Sequence, residues 1–262
     1  MIRALFSAAS GMQAQQMNID VISNNIANVN TAGFKGSSPS FQDLVYQTMS
    51  TAGASSSQST TIPTGMQLGL GVKPVSIQKL FTQGDFQNTG NSLDLVIEGD
   101  GFFQVTMPDG TVNYTRAGSF TMDKDGKVVS SDGNPLEPAI TIPANTTSIT
   151  VGSDGTVSAM QAGNSSPVQV GTIEIATFMN PGGLQSNGKN LFVNTDASGE
   201  ATTGTPGLEG RGSIQQGFLE MSNVNVVQEL ANLIIAQRAF EMNSKAVQTA
   251  DQMLQNINSL KQ

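Results

Sequence analysis

The chain has 262 residues, of which 37% are apolar, and it contains no cysteine, no histidine and no tryptophan. Without cysteine and histidine, the chain has no disulfide framework, no thiolate or imidazole metal site, no cysteine nucleophile and no Ser-His-Asp triad. The net charge of −8 comes from the middle of the chain, where residues 93–210 hold 13 acidic and 4 basic side chains, and this argues against nucleic-acid binding.

The first 34 residues read as a long amphipathic helix. Two columns of mostly apolar positions recur every seven residues. The first is Leu5, Met12, Ile19 and Ile26, and the second is Ala8, Gln15, Ile22 and Val29, in which Gln15 is the one polar member. This heptad pattern predicts a seam that packs against another helix. The run from Asn30 to Gly33 is expected to end the helix, with Gly33 in the left-handed conformation.

The chain contains no run of about 18 apolar residues, so we predict no membrane-spanning helix. The N-terminal segment also lacks the apolar region of a cleavable leader, because Ser7, Ser10 and Gln13 interrupt it. If the protein leaves the cytoplasm, we expect a route that cleaves no conventional leader.

Residues 35–92 read as an extended connector. The Ser/Thr/Gly-rich stretch over 50–65 indicates a flexible linker by composition. Alternation returns at Leu68, Leu70 and Val72, which predicts extended structure up to Phe81. Residues 211–221 form the return path, so the middle of the chain is an insertion between two terminal segments.

Residues 93–210 are predicted to form an all-β domain, an antiparallel sandwich or barrel-like fold. The clearest strands are 93–97, 102–106 and 172–178. Asp-Gly pairs mark hairpin turns between such runs, and they occur at Asp109-Gly110, Asp125-Gly126, Asp132-Gly133 and Asp154-Gly155.

Residues 222–262 read as a second long helix. One heptad column is unbroken and a second is interrupted by Asn243; their members are Val226, Leu233, Phe240, Val247 and Leu254, then Ala236, Ala250 and Ile257. Asn225 with Gln228 resembles a capping box, and Glu229 lies in the first turn, where the helix dipole favours an acid. Each terminal helix needs a partner, either the other terminus or a neighbouring chain. The predicted fold class is therefore α+β, with paired terminal helices in a coiled-coil-like core and an inserted β domain.

Two acidic arrangements are candidates for chemistry. Asp94 and Glu98 lie on one face of a predicted strand, as a carbohydrate-cleaving carboxylate pair would require. The run from Asp123 to Gly126 resembles the start of a calcium loop, but the twelfth position is Asn134 instead of glutamate, so a hairpin turn is favoured. We predict no catalytic, cofactor or metal site.

Two motifs, Ser23–Lys35 and Gly217–Val227, resemble the N- and C-terminal signatures of bacterial flagellar rod and hook proteins, a family of axial proteins. The residues that carry the resemblance are Asn24, Asn25, Asn28, Asn30, Gly33, Phe34, Asn223 and Asn225. Within this family, the distal rod members are the most similar, through the runs 81–84, 99–103, 116–120 and 236–253.

The resemblance implies a structural, non-enzymatic subunit that polymerises helically into a hollow drive shaft in the basal body and transmits torque. It implies an inner tube formed by 1–34 and 222–262, a connector with a rod-specific extension in 35–92 and 211–221, and an outer β domain over 93–210. The expected helical interfaces are Leu5, Met12, Ile19, Ile22, Ile26, Val29, Val226, Leu230, Leu233, Phe240, Val247 and Leu254.

The partners implied by the resemblance are further copies of the chain, proximal rod proteins, the hook protein, the surrounding P- and L-ring proteins and the flagellar type III export apparatus. No cofactor, nucleic acid or membrane insertion is expected. Three alternatives stay open: a proximal rod or hook protein of the same family, a carboxylate-based cell-wall hydrolase that uses Asp94 and Glu98, and a coiled-coil adhesin.

Overall fold

The computed structural model describes the backbone of residues 2–53, 55–57, 60–61, 63–163 and 166–259. The chain forms two compact units. The first unit contains the described residues within 1–27, 37–78 and 225–262, and the second contains those within 28–36 and 79–224.

Two long helices belong to the first unit, α1 over Ile2–Ala27 and α2 over Val226–Ser259. Helix α1 ends earlier than the sequence predicts, because residues 28–33 form turns instead of a final helical stretch. The Thr31 amide and hydroxyl both donate to Asn28, to its carbonyl and side-chain oxygens, and such local bonding competes with helix continuation. Gly33 does have a positive φ of 69°, but it lies beyond the helix and is not its C-terminal cap.

The two helices pack against each other in antiparallel orientation. Asn25 donates to Glu229 at 3.0 Å, and a Cβ placed on Gly11 would lie 2.8 Å from the Asn243 amide nitrogen. Moving back along α1 from Asn25 to Gly11 therefore moves the same number of residues forward along α2. Asn243 interrupts the second heptad column of α2, and this is tolerated because its side chain faces Gly11, which leaves room for it.

The predicted capping box at the start of α2 is only half formed. The Asn225 side-chain oxygen accepts from the Gln228 amide at 3.2 Å, whereas the Gln228 side chain donates to Asn232 and does not complete a capping box. Glu229 lies in the first turn.

We expect Asn225→Ala to lower the free energy of unfolding of α2 by about 1 kcal/mol, since it removes the acceptor for an otherwise unpaired helical amide. Hydrogen exchange of the Gln228 amide measures this loss. Asn225→Asp keeps an acceptor oxygen and should behave like the parent; equal exchange in both variants would show that the cap contributes nothing.

The described residues of the first unit also form six strands. They are β1 (Ser37–Asp43), β2 (Tyr46–Ser50), β3 (Ser55–Ser57), β4 (Thr60–Thr61), β5 (Met66–Gly69) and β6 (Val72–Lys79). Strand β1 pairs with β6, β2 with β5 and β3 with β4, so the described part of the Ser/Thr-rich stretch forms a long antiparallel hairpin. Composition indicates a flexible linker there, but ladder hydrogen bonds satisfy the backbone regardless of how polar the side chains are.

The second unit is built almost entirely of strands. They are β7 (Phe86–Asn88), β8 (Leu95–Glu98), β9 (Phe102–Thr106), β10 (Val112–Thr115), β11 (Phe120–Met122), β12 (Val128–Ser130), β13 (Leu136–Glu137), β14 (Thr146–Val151), β15 (Thr156–Gln161), β16 (Val168–Thr172), β17 (Ile175–Thr177), β18 (Gln185–Ser186), β19 (Leu191–Val193), β20 (Thr202–Gly204), β21 (Ser213–Gln216) and β22 (Phe218–Glu220). One 3-10 turn lies at Pro181–Gly183.

The main sheet of this unit has seven strands in the order β18-β19-β10-β9-β17-β20, with β13 also paired to β9. These strands pair in antiparallel fashion. Smaller ladders join β14-β15-β16, β11-β12, β21-β8 and β22-β7. The predicted α+β class with an inserted antiparallel β region is confirmed, while the sandwich or barrel-like arrangement stays a prediction.

The four predicted Asp-Gly turns are confirmed, since Gly110, Gly126, Gly133 and Gly155 all have φ between 77° and 83°. The strand predicted over 172–178 is broken in two. Strand β16 pairs with β15, while β17 pairs with β9 and β20, so the chain changes sheet at Ile173 and Glu174. The alternation of apolar residues survives the change, because Ile173 and Ile175 are both buried.

Two apolar clusters fill the second unit. The larger cluster contains Phe103, Phe120 and Leu136, together with Ile214 from the C-terminal strand β21. The smaller is aromatic, and Phe102 lies edge-on to Phe178 with ring centroids 5.7 Å apart. Such edge-to-face pairs add to the stabilisation that burial provides.

Candidate functional site

One face of α2 remains uncovered by the first unit. It is formed by Val227, Leu230, Ile234, Ile235 and Met242, which we call the exposed α2 face. Ile234 and Ile235 are 58% and 67% exposed, and Val227 is 78% exposed. Residues 227, 230 and 234 follow helical spacing, so their side chains form one stripe. Exposed apolar stripes are common at interaction surfaces, so this stripe is the candidate site of the chain.

The predicted interface residues fall into three groups by burial. Ile22 is buried, and Val226 and Leu230 are exposed. The others are half-buried: Leu5, Met12, Ile19, Ile26, Val29, Leu233, Phe240, Val247 and Leu254. The pairing of α1 with α2 within one chain thus covers the heptad columns only in part.

The second unit contains a buried ion cluster that the sequence patterns did not predict. The Lys35 ammonium donates to the Glu220 carboxylate at 2.6 Å and to the Thr82 carbonyl at 2.7 Å. The Arg116 guanidinium lies 3.5 Å from the other Glu220 oxygen, and its second nitrogen donates to the Gly99 carbonyl at 2.7 Å. A signal was present, since Lys35 and Glu220 lie within the two family-like motifs.

Burial dominates the electrostatics of this cluster. It lowers the pKa of Lys35 and the pKa of Arg116, while the nearby Glu220 carboxylate acts in the opposite direction on both. All three side chains are at most 4% exposed. Removing one partner of such a buried pair costs about 3–5 kcal/mol, because it leaves an uncompensated charge away from water.

Several residues of the two motifs lie around this cluster. With residues 82–84 and Arg116, the motif residues 33–36 and 220–223 form what we call the terminal junction. The Gly33 amide donates to the Glu220 carbonyl, and a side chain at Gly33 would overlap the Ala117 backbone. Asn223 accepts from the Gly36 amide and donates to the Leu80 carbonyl, both at 2.8 Å.

Phe34 is buried, and the Lys79 ammonium lies 4.6 Å from its ring centroid. Such a contact between a cation and an aromatic face is attractive, more so when water is excluded. It adds a further link between the motif residues and residues 79–84 in the same unit.

Asn25 holds together three segments of the first unit. Its amide both donates to and accepts from the Ser37 backbone at 2.9 Å, and it donates to Glu229 at 3.0 Å. The side chain is only 2% exposed. Asn25 on α1 therefore makes the pair of backbone hydrogen bonds to Ser37, the first residue of β1, that a neighbouring strand would otherwise make.

We expect Asn25→Ala to lower the free energy of unfolding of the first unit by about 2–3 kcal/mol, since the half-buried Ser37 amide and carbonyl both lose their partner. Thermal unfolding followed by far-UV circular dichroism measures the change. Gln13→Ala, at an exposed position of the same helix, should leave the midpoint nearly unchanged; a similar shift in both variants would contradict this role for Asn25.

The other motif residues have simpler surroundings. Asn24 and Asn30 are exposed, Asn28 accepts in the turn after α1, and Asn225 caps α2. The structure therefore brings Gly33, Phe34 and Asn223 together at the terminal junction, while Asn25 and Asn225 act within the first unit.

The carboxylates considered for catalysis are engaged in local structure. Asp94 accepts from Thr89 at 2.6 Å and from Asn91 at 3.0 Å, and Glu98 accepts from Gln215 at 2.6 Å. Among the described residues, no group of three or more acidic side chains is placed to hold a metal ion. Neither described helix is apolar over a length that would cross a membrane.

Three family models match the chain. The model described as a flagella basal body rod protein matches residues 5–35, the flagellar hook protein FlgE/F/G D1 domain matches 96–159, and the flagellar basal body rod FlgEFG protein C-terminal region matches 215–260. These ranges cover α1, the first half of the second unit and α2 with the strands before it.

Several curated relatives match over the full length. The chain is 49% identical over 260 residues to the flagellar basal-body rod protein FlgG of Buchnera aphidicola subsp. Schizaphis graminum, covering 99% of this chain and 100% of that protein. The FlgG proteins of Borreliella burgdorferi and Bacillus subtilis are 48% and 43% identical. Coverage is 100% of this chain and 99% of the Borreliella protein, and 100% of both chains for Bacillus.

Proposed function

Because the chain belongs to the FlgG family of flagellar basal-body rod proteins, we propose that it polymerises helically into the distal rod, the hollow shaft that carries torque to the hook and filament. It is a structural rod subunit and not an enzyme, and it assembles in the basal body with other rod and hook proteins. The observation that supports helical polymerisation is the exposed α2 face.

The exposed α2 face is the surface that neighbouring copies would cover. Burying an Ile- or Leu-sized side chain contributes about 1.5–3 kcal/mol, so several such contacts per subunit favour association strongly. A copy that uses this face against a different surface of its neighbour makes a heterologous contact, and such contacts extend into open filaments. The helices would then form a many-copy, coiled-coil-like inner core.

The paired strands β2 and β5 offer a second contact in the first unit. Tyr46, Met49, Met66 and Leu68 are all exposed on this two-stranded ribbon. An isolated two-stranded hairpin is marginal in water, so contact with neighbouring copies would stabilise it. We assign it to the stiffening extension of the shaft.

The second unit would face outward, towards the P- and L-ring proteins. The acidity of residues 93–210 supports this, because a uniformly charged surface resists adhesion. Proximal rod proteins and the hook protein would bind the two ends of the polymer, and the type III export apparatus would deliver the chain without cleaving a leader.

The rivals have less support. Full-length identity of 43–49% to FlgG proteins, against 28% to the hook-basal body complex protein FlhP of Bacillus subtilis, favours the distal rod over other axial proteins. The cell-wall hydrolase is set aside, because the family is structural and Asp94 and Glu98 bond within the unit.

The test is a strain that lacks the gene. We expect electron micrographs of its basal bodies to show no distal rod and no hook, and expression of the wild-type chain to restore both. Rods of normal length and a normal hook in the deletion strain would overturn the proposal.

A further inference from the structure

The last strands of the second unit complete structure made by residues far earlier in the chain. Strand β21 pairs with β8, with Ile214 opposite Ile97, and β22 pairs with β7, with Glu220 opposite Phe86. Ile214 is 1% exposed within the larger apolar cluster. Without these strands, β8 would lose its ladder partner and the cluster would lose a core side chain.

Glu220 adds a negative charge at the point where two buried cations meet. Its carboxylate accepts from Lys35 at 2.6 Å and from the Gly84 amide at 3.0 Å, and it lies beside Arg116. Both cations lie more than 100 residues before Glu220 in the sequence, and both are buried beside it in the folded unit. Asp100 also attracts Arg116 electrostatically, whereas the anion that acts on Lys35 is Glu220.

We propose that residues 213–224 act as a closing segment, so that the second unit adopts its folded form only when this segment joins it, and that the Glu220 charge makes closure favourable. The inference does not depend on the proposed function, since it concerns one chain alone. It assigns a conformational role to Lys35, Arg116 and Glu220.

The physical reason is the cost of burying unpaired cations. Before Glu220 is present, closure would bury Lys35 and Arg116 together without the carboxylate that both contact, so the two side chains remain in water. A chain that emerges with its N-terminus first would keep this unit open until nearly all of it is available. Premature folding of the strands before β21 is thereby disfavoured.

The first test is native-state hydrogen exchange of the full-length protein. The closing segment donates from Ile214, Gly217 and Met221 to carbonyls of earlier residues. We expect these amides to exchange as slowly as those of the central strand β9, because the unit opens only as a whole. If they exchange much faster than β9, the rest of the unit persists without the closing segment and the proposal fails.

The second test separates charge from packing. Glu220→Gln leaves two buried cations, and exchange of β9 amides should quicken by about 150- to 5,000-fold. Lys35→Met leaves a matched Arg116–Glu220 pair, so its effect should be smaller. The double variant, Glu220→Gln with Lys35→Met, buries one cation instead of two and should exchange more slowly than Glu220→Gln alone.

Glu98→Gln is the matched control, because it makes the same change at an exposed carboxylate that faces β21. It should leave exchange of β9 nearly unchanged. Two results would overturn the role of the Glu220 charge. One is exchange of β9 in the double variant that is faster than in Glu220→Gln by the full effect of Lys35→Met alone. The other is equal exchange of β9 in Glu98→Gln and Glu220→Gln.

Discussion

Replacing Ile234 by Asp is expected to abolish polymer growth while leaving the monomer folded. Ile234 lies on the exposed α2 face and is 58% exposed, so an Asp side chain there stays hydrated in the free chain. In a polymer that covers this face, the Asp carboxylate would lose its hydration, and the apolar contact that Ile234 makes would be missing. Losing the contact alone costs about 1.5–3 kcal/mol, which raises the critical concentration about 10- to 100-fold.

The neighbouring position makes a direct contrast. Leu233 is half-buried and belongs to the unbroken heptad column, one residue away from Ile234 on the helix. Leu233→Asp should disrupt the helix pair in the monomer itself, so it should reduce helix content as well as assembly. Ile234→Asp should reduce assembly only.

Far-UV circular dichroism of the purified monomers and electron microscopy of rods in complemented cells measure the two effects. Ile234→Leu keeps an apolar side chain of equal volume and should still form rods. Motile cells with normal rods carrying Ile234→Asp would show that this face is not an interface.

Gly118→Ala is expected to destabilise the second unit by about 3 kcal/mol or more. A Cβ at this position would overlap the carbonyl oxygen of Leu95, the first residue of β8, and would also lie 3.3 Å from the Phe103 ring. The Leu95 amide donates to the Gly118 carbonyl at 3.0 Å, so the two backbones are held together and cannot separate without breaking this bond. Overpacking that moves backbone has costs of this size.

Chemical denaturation of the full chain, followed at the strands of the second unit by hydrogen exchange, measures the loss. Gly110→Ala is the control. Gly110 has a positive φ of 83°, and no atom lies within reach of the methyl group that alanine would add. It should cost only about 1–2 kcal/mol, the strain of the left-handed backbone. Equal midpoints for Gly118→Ala and the parent protein would contradict the close approach of these two segments.

Local signals in the sequence were reliable where a single short-range cause decides the outcome. The Asp-Gly turns formed as predicted because a left-handed turn needs glycine whatever surrounds it. The Asn225 cap formed because the bond lies within one helical turn. The end of α1 was misplaced, since Asn28 and Thr31 end the helix through local bonds that heptad spacing does not register.

Long-range partners were predicted less well. The heptad columns showed that each terminal helix has a face to bury, but not that Gly11 lies opposite Asn243. Composition made the stretch over 50–65 look like a linker, although its described residues pair in a hairpin. The ion cluster of Lys35, Arg116 and Glu220 was not predicted, because charged residues at these separations carry no periodic signal, although Lys35 and Glu220 both lie within the family-like motifs.

Residue type and short-range spacing were enough to predict the α+β fold class, the two terminal helices and the inserted strands. Two short motifs carried the resemblance to the rod family. The folded chain was needed to show which helix face is covered, which strands share a sheet and why the two motifs meet at Glu220. Those outcomes depend on desolvation and polar pairing between residues far apart in sequence, 185 positions for Lys35 and Glu220 and 204 for Asn25 and Glu229. Such pairings exist only once the chain has folded.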